Sequence, residues 1–359
     1  MRPGPPTDLL ADSVVVGCDL SVVRGREVLA PGGVPAWNVE LDETDDRVVP
    51  GQLTFMAPRS WVPTHPLAPL ANFGQRVHVT QTLTAGTRPW KVGIGWFKID
   101  SWEEQDEGVQ VTALDLLSIP DEDPLVWPSS PPAGATLLSE LRRMAAPLPV
   151  VLDDPSNPAV PRNTQYATSR TENIRDLCSS YGKDYAVQDD GYLHVWARRD
   201  GRDPVATYGG VKDLGTPGAR PGRLLSSPRK SLPRRANRFT VVGTQGSGED
   251  EQRWSATVSA TQPPYDPEAY GVKHERHEMN MATSQSQVTA AANTYMRNAM
   301  IATEVRSLEM PSDSRLQRGD VISVHTEAGE FFTGRARQIY LPVSDHKKNM
   351  RVDAEVLLW

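Results

Sequence analysis

The segment His274-Glu275-Arg276-His277-Glu278 holds the chain's most reactive set of side chains. Two histidines with flanking carboxylates are the raw material of a metal-assisted hydrolase. A zincin arranges them as His-Glu-x-x-His, so that both imidazoles leave one face of a helix one turn apart. Here the second histidine comes one residue early. Positions i and i+3 are still neighbours on a helix, so a metallopeptidase using His274 and His277 is a reading to test. Tyr270-Gly271 just upstream and the polar surroundings favour an exposed strand or loop instead.

Other segments carry weaker chemical signals. Gly243-Thr244-Gln245-Gly246-Ser247-Gly248 is glycine-rich but lacks the Lys-Ser/Thr ending of a phosphate loop, so it reads as a strand-to-strand connection. Gly93-Ile94-Gly95 sits inside a strand pattern. No Gly-x-Ser-x-Gly elbow is present. Cys178 falls on the inner face of a predicted helix, which suits packing rather than reactivity. The carboxylates Asp42, Glu43, Asp45 and Asp46, and those from Glu103 to Glu107, fall in turns and read as solvated. Arg229, Lys230, Arg234, Arg235 and Arg238 form a basic cluster. It lacks interleaved aromatics apart from Phe239, so a subunit or interdomain contact is expected rather than a nucleic-acid platform. The sequence thus assigns no catalytic, cofactor-binding or metal-ligating residue, and no cofactor.

The totals agree with that. A net charge of -7 argues against a general nucleic-acid binder. No apolar run reaches the length of a membrane span, and Met-Arg-Pro-Gly-Pro-Pro lacks a signal-peptide core. Assembly in a cytoplasm is expected. Cys18 and Cys178 are the only cysteines, far apart, and read as two buried free thiols. Proline is abundant, 31 of 359 residues, so many strand ends and loops must be proline-capped.

The elements that would position these groups are mostly strands. Residues 1–117 read as a β domain. Ser13 to Val16 starts a strand that turns at Arg24-Gly25-Arg26, and Trp37–Leu41, Gln52–Phe55 and Arg76–Leu83 follow. Gly95–Asp100 and Val109–Leu114 form a hairpin across the acidic tip 103–108. Residues 118–235 read as a proline-rich linker and an α+β insert. Leu137–Met144 is a helix stopped by Pro147 and Pro149. A second helix, capped by Ser169 or Thr171, buries Ile174, Leu177, Cys178 and Tyr181 and ends at Gly182. Asp189-Asp190-Gly191 turns a hairpin, and 201–235 is loop-like. Residues 236–359 read as a second β domain. Its helix, 284–303, has Val288, Ala291, Ala292, Tyr295, Met296 and Ala299 inward. A closing meander turns at Arg318-Gly319-Asp320, Ala328-Gly329-Glu330 and 345–349, and ends at Trp359. Ending on a strand suggests a finished β unit with no enzymatic or fibrous appendage. The fold class expected is mainly β with an α+β insert, two tube-type barrel or sandwich domains flanking a smaller mixed one.

Three segments of the first region resemble a known pattern: Asp42–Thr54; Pro66-Leu67-Ala68-Pro69 with Phe73–Val77; and Gly95–Ser101 followed by Val111–Asp115. They resemble the N-terminal part of minor tail proteins from tailed phages of actinobacteria. The helix 284–303 followed by Leu316-Gln317-Arg318-Gly319-Asp320-Val321-Ile322 is similar to the baseplate hub, or tail-associated, family. The resemblance implies a structural virion protein of the tail tip and no enzyme. It implies a homotrimeric ring whose two tube-type domains per subunit give pseudo-sixfold symmetry. Its implied partners are the distal tail protein ring, a central spike or fibre, and the tape measure protein, with genome ejection through the channel. An alternative is a receptor- or carbohydrate-binding minor tail protein, in which Trp90, Trp96 and Trp102 would stack on sugars during host attachment.

Overall fold

The computed structural model describes residues 1–6, 15–85, 88–127, 129–162, 164–199, 203–209, 222–231, 236–245, 252–280, 284–300, 302–345 and 347–357. The expectations for Ser13, Val14, Arg234, Arg235, 246–248, His346 and Trp359 lie outside these residues.

Seven strands come from residues 15–115: β1 (Val15–Arg24), β2 (Glu27–Val28), β3 (Trp37–Thr44), β4 (Gly51–Ala57), β5 (Gln75–Ala85), β6 (Arg88–Gln105) and β7 (Gly108–Asp115). They lie in the order β3-β4-β7-β6-β5-β1-β2, each pair antiparallel. Period-2 patterning fixes the faces. In β4, Gly51, Leu53, Phe55 and Ala57 are buried while Gln52, Thr54 and Met56 are half-exposed. A one-residue slip would expose Leu53 and Phe55, each worth about 1.5–3 kcal/mol of burial. The acidic tip is shorter than expected. Glu103 and Glu104 belong to β6, paired with Gln110 and Val109, and Asp106-Glu107 alone makes the turn.

The insert is a small α+β unit. Strands β8 (Val150–Leu152), β9 (Lys183–Val187) and β10 (Leu193–Ala197) are ordered β8-β10-β9. They share a core with the helices Leu137–Ala145 and Arg170–Ser180. Thr136 caps the first helix by accepting the Ser139 N–H, and Ser169 caps the second by accepting the Glu172 N–H. Each cap contributes about 1 kcal/mol. Ile174, Leu177 and Cys178 are buried as their spacing predicts.

The remaining strands are β11 (Ala206–Gly209), β12 (Gly222–Arg223), β13 (Arg229–Ser231), β14 (Arg238–Gln245), β15 (Gln252–Ser259), β16 (His274–Asn280), β17 (Ala302–Met310), β18 (Val321–His325), β19 (Phe331–Pro342) and β20 (Met350–Leu357). Seven of them run β13-β17-β20-β19-β18-β11-β12. The segment holding β12 and β13 closes this sheet on itself. Leu224 N–H donates to the Gly209 carbonyl at 2.8 Å on one side, and Leu225 N–H to the Glu309 carbonyl at 2.8 Å on the other. The result is a barrel. Strands β11 to β13 fall where a loop was expected, because runs of two to four residues among glycines and prolines show no period.

The two seven-stranded sets meet where β19 pairs with β3, from Gln338↔Thr44 to Pro342↔Glu40. One hydrophobic core runs through both. Along the chain, the residues between β13 and β17 build a third sheet, β15-β14-β16. The helix Gln285–Met300 packs on it through Val288 and Ala292 against Val241 and Ala256. That helix stops short of residue 303. Ala302 onward is β17, whose pairing with β20 and β13 overrides local helix propensity. The chain is mainly β with an α+β insert. No helix among the described residues is long and apolar enough to cross a membrane.

Candidate functional site

The chain brings its charges together at the seam between β3 and β19, where the insert also docks. The turn Gln317-Arg318-Gly319-Asp320 is the pivot. Gly319 has φ +83°, a conformation that suits glycine. Its N–H donates to the Ala336 carbonyl at 2.8 Å, and the Asp320 carbonyl accepts the Ala336 N–H at 2.9 Å. Asp320 is buried, and its carboxylate accepts the Gln317 N–H at 2.8 Å. Burial pushes the Asp320 carboxyl up, while the nearby Met1 ammonium opposes the rise. This turn was expected from Gly-Asp, and it builds a clamp.

Arg318 reaches from that turn into the insert. It donates to the Tyr185 carbonyl at 2.9 Å, pairs with Asp45, and sits 5.2 Å from the Tyr185 ring centroid. Burial would lower its affinity for protons, but Asp45, Tyr185 and Glu43 outweigh that and fix the positive charge. Arg335 of β19 binds Asp184 of the insert at 3.1 Å, and Arg198 holds the same carboxylate at 3.0 Å. Arg2 donates to the Leu316 carbonyl at 2.8 Å and to Glu43 at 2.6 Å. Three pieces of the chain are thus tied by charge-assisted hydrogen bonds, the stronger kind.

Asp115, at the end of β7, is the most acid–base-like group here. Burial raises its carboxyl to about 6, against the lowering effect of the Gly51 and Leu117 N–H groups. Those donors sit at 2.8 Å on its two oxygens. The adjoining cavity, lined by Asp115, Arg318, Trp96 and Phe97 among others, is about 30 Å³. It has room for water and not for a drug-sized ligand. The carboxylate acts as a cap for two backbone donors.

The sequence candidates scatter. His274 and His277 lie on β16, where residues three apart face opposite sides of the sheet. His274 Nε2 is 2.7 Å from Thr240 Oγ1, and the His277 ring stacks on Tyr295 at 3.7 Å. Among the described residues no group of three or more metal-binding side chains converges. Trp90, Trp96 and Trp102 are strung along β6 over roughly 40 Å at the rise of an extended strand. Trp96 is covered by His78 and donates to the Asp189 carbonyl. Arg229 pairs with Glu330, and Arg238 Nε donates to Ser259 at 3.4 Å. Asp42 and Glu43 lie in β3 rather than in a turn, and the carboxylates 42–46 are not merely solvated. Glu43, Asp45 and Asp46 pair with Arg2, Arg318 and Arg337.

Sequence reasoning missed the clamp, because its partners lie 273 residues apart for Arg318 and Asp45. It also missed an exposed apolar knob. Val126 and Trp127 are 82% and 78% exposed. They are held from both flanks by Leu125 N–H to the Thr168 carbonyl at 2.8 Å and by Tyr166 N–H to the Ser129 carbonyl at 2.9 Å.

No family model matches the sequence, and no curated protein does. Solved structures do match, over nearly the whole chain. A prophage tail protein gp18 from Listeria monocytogenes aligns with 94% of this chain and 94% of its own, at 11% identity and a TM-score of 0.53. The 43 kDa tail protein of prophage MuSo2 from Shewanella oneidensis covers 95% and 98%, at 11% identity and 0.59. The tail protein from Neisseria meningitidis covers 95% of this chain and 96% of its own, at 15% identity and a TM-score of 0.63, so the chain shares the fold of these tail proteins from end to end.

Proposed function

We propose that the chain is a structural protein of a phage tail tip, the hub of a trimeric ring. The observation that carries this reading is the likeness to the Neisseria tail protein over 95% of the chain. A second feature supports the ring. Two seven-stranded sets fused at one seam give each subunit two wall-sized pieces. Three subunits would then present six pieces around a channel, closed by heterologous contacts. The hub would join a distal tail ring to a central spike or fibre, with the tape measure protein nearby, and sit in the virion. A net charge of -7 suits a wall past which DNA slides without sticking. In this reading the two tube-type domains are 15–115 and 206–231 with 302–357. The insert 118–199 and the β14–β16 unit decorate them, and the Val126-Trp127 knob is a subunit contact.

Light scattering and negative-stain imaging test this at high protein concentration, alone and with the distal tail protein. A threefold ring with the mass of three copies is expected. A chain that stays monomeric under both conditions would refute the hub reading.

A further inference from the structure

The turn Gln188–Tyr192, between β9 and β10, docks the insert on the first sheet. Asp189 Oδ1 lies 2.6 Å from His78 Nε2 on β5. The Asp189 carbonyl accepts the Trp96 indole N–H at 2.8 Å, and His78 stacks on Trp96 with ring centroids 4.5 Å apart. Gly93 makes the space. A Cβ there would stand 2.0 Å from Asp189 Cγ. Gly191, at φ +79°, turns the chain beside Trp96.

On the insert side, His194 is held between two carboxylates. Its Nδ1 is 3.0 Å from Asp153 Oδ2, and its Nε2 is 3.0 Å from Asp190 Oδ2. Asp190 in turn accepts the Tyr192 N–H at 2.9 Å. A neutral imidazole has one N–H, so one nitrogen would aim a lone pair at a carboxylate. The imidazolium alone donates to both. Burial pulls the His194 value down, but the bonds to Asp190 and Asp153, then their charges, outweigh it and raise it.

We propose that the Gln188–Tyr192 turn is a proton-operated latch, braced for docking on the first sheet when His194 donates to both Asp153 and Asp190 and loosened when it can donate to only one. Around His78, Arg76 and Lys98 lie on the same sheet face to one side, with Glu122 on Lys98. Asp19 and Lys91 lie on that face to the other side and pair at 3.9 Å. Around His194, Asp184 shares the face but is taken by Arg198 and Arg335. The pairs of His194 with Asp153 and Asp190 are therefore the ones protonation strengthens. Because the folded value of His194 is raised, its contribution is complete below the unfolded value of about 6.5 and fades as pH rises through the higher folded one.

The test is hydrogen exchange of the whole chain at about pH 5.5 and about pH 8, each corrected for intrinsic exchange. The readout is the peptide spanning 186–196, where Gly191 N–H donates to the Gln188 carbonyl at 2.9 Å. Its protection is expected to fall severalfold at the higher pH. The fall should vanish in H194Q and shrink in D190N. Exchange in β17–β20 reports whether each variant folds. If H194Q does not, D190N carries the comparison. Equal protection of the native chain at both pH values overturns the latch, as does an undiminished fall in D190N.

Discussion

Replacing Arg318 by Met tests whether the seam is held by a buried cation. The substitution keeps an apolar stem of similar length and removes the guanidinium. Three contacts go with it. The Tyr185 carbonyl loses its donor at a residue that is 7% exposed, so water does not replace it. An unsatisfied buried acceptor costs about 1–3 kcal/mol. Loss of the contact 5.2 Å above the Tyr185 ring costs about 0.5–2 kcal/mol. The Asp45 side chain is 39% exposed, so breaking that pair costs under about 1 kcal/mol. The sum expected is about 1.5–6 kcal/mol. The assay is pulsed hydrogen exchange across a urea series, read on the peptide that contains Tyr185. With m near 2 kcal/mol/M the midpoint should drop by about 0.8–3 M. Arg59→Met is the control, since Arg59 and Glu104 pair at 2.7 Å but are 72% and 45% exposed. Its cost should stay under about 1 kcal/mol. An unmoved midpoint in R318M, or an equal drop in R59M, would refute the assignment of the seam to this cation.

Asp115, raised by burial to about 6, makes the fold lose stability as pH rises from about 4 through about 6. Melting temperatures across that window should fall in the native chain and flatten in Asp115→Asn. Burial also pushes both thiols, Cys18 and Cys178, up to about 12. Iodoacetamide at about pH 8 should leave them unmodified until the chain is unfolded, when both react. Trp127→Ala should change monomer stability by no more than about 0.5 kcal/mol, because the side chain is 78% exposed. If the knob seats in a neighbouring subunit, it should weaken the ring by about 2 kcal/mol or more, read by dilution in light scattering.

Long alternating strands were legible. Gln52–Phe55, Arg76–Leu83 and Val109–Leu114 all fall in strands, and the Asp189-Asp190-Gly191 hairpin is where its turn chemistry puts it. The helix around Ile174 and Leu177 was legible for the same reason, a clear period with a serine cap. Legibility failed where pairing is non-local. Strands β12 and β13 owe their shape to β11 and β17 and carry no pattern of their own. The helix was carried past Met300 because Ala and Thr do not announce that β20 waits for them. The charge clamp was invisible, since a carboxylate at position 45 reads as solvated until the fold delivers Arg318.

The seam has a consequence for synthesis. Asp42 on β3 and its partner Gln338 on β19 lie 296 residues apart. At about 5–20 residues per second, β3 leaves the ribosome some 15–60 s before its neighbour exists. Throughout that interval one edge of an otherwise finished sheet stands bare, and bare edges recruit strands from other chains. Until then the guard on that edge is the charge of β3 itself, at Glu40, Asp42 and Glu43. Crowded expression should fail first by aggregation of chains that have made the first sheet and not yet the last.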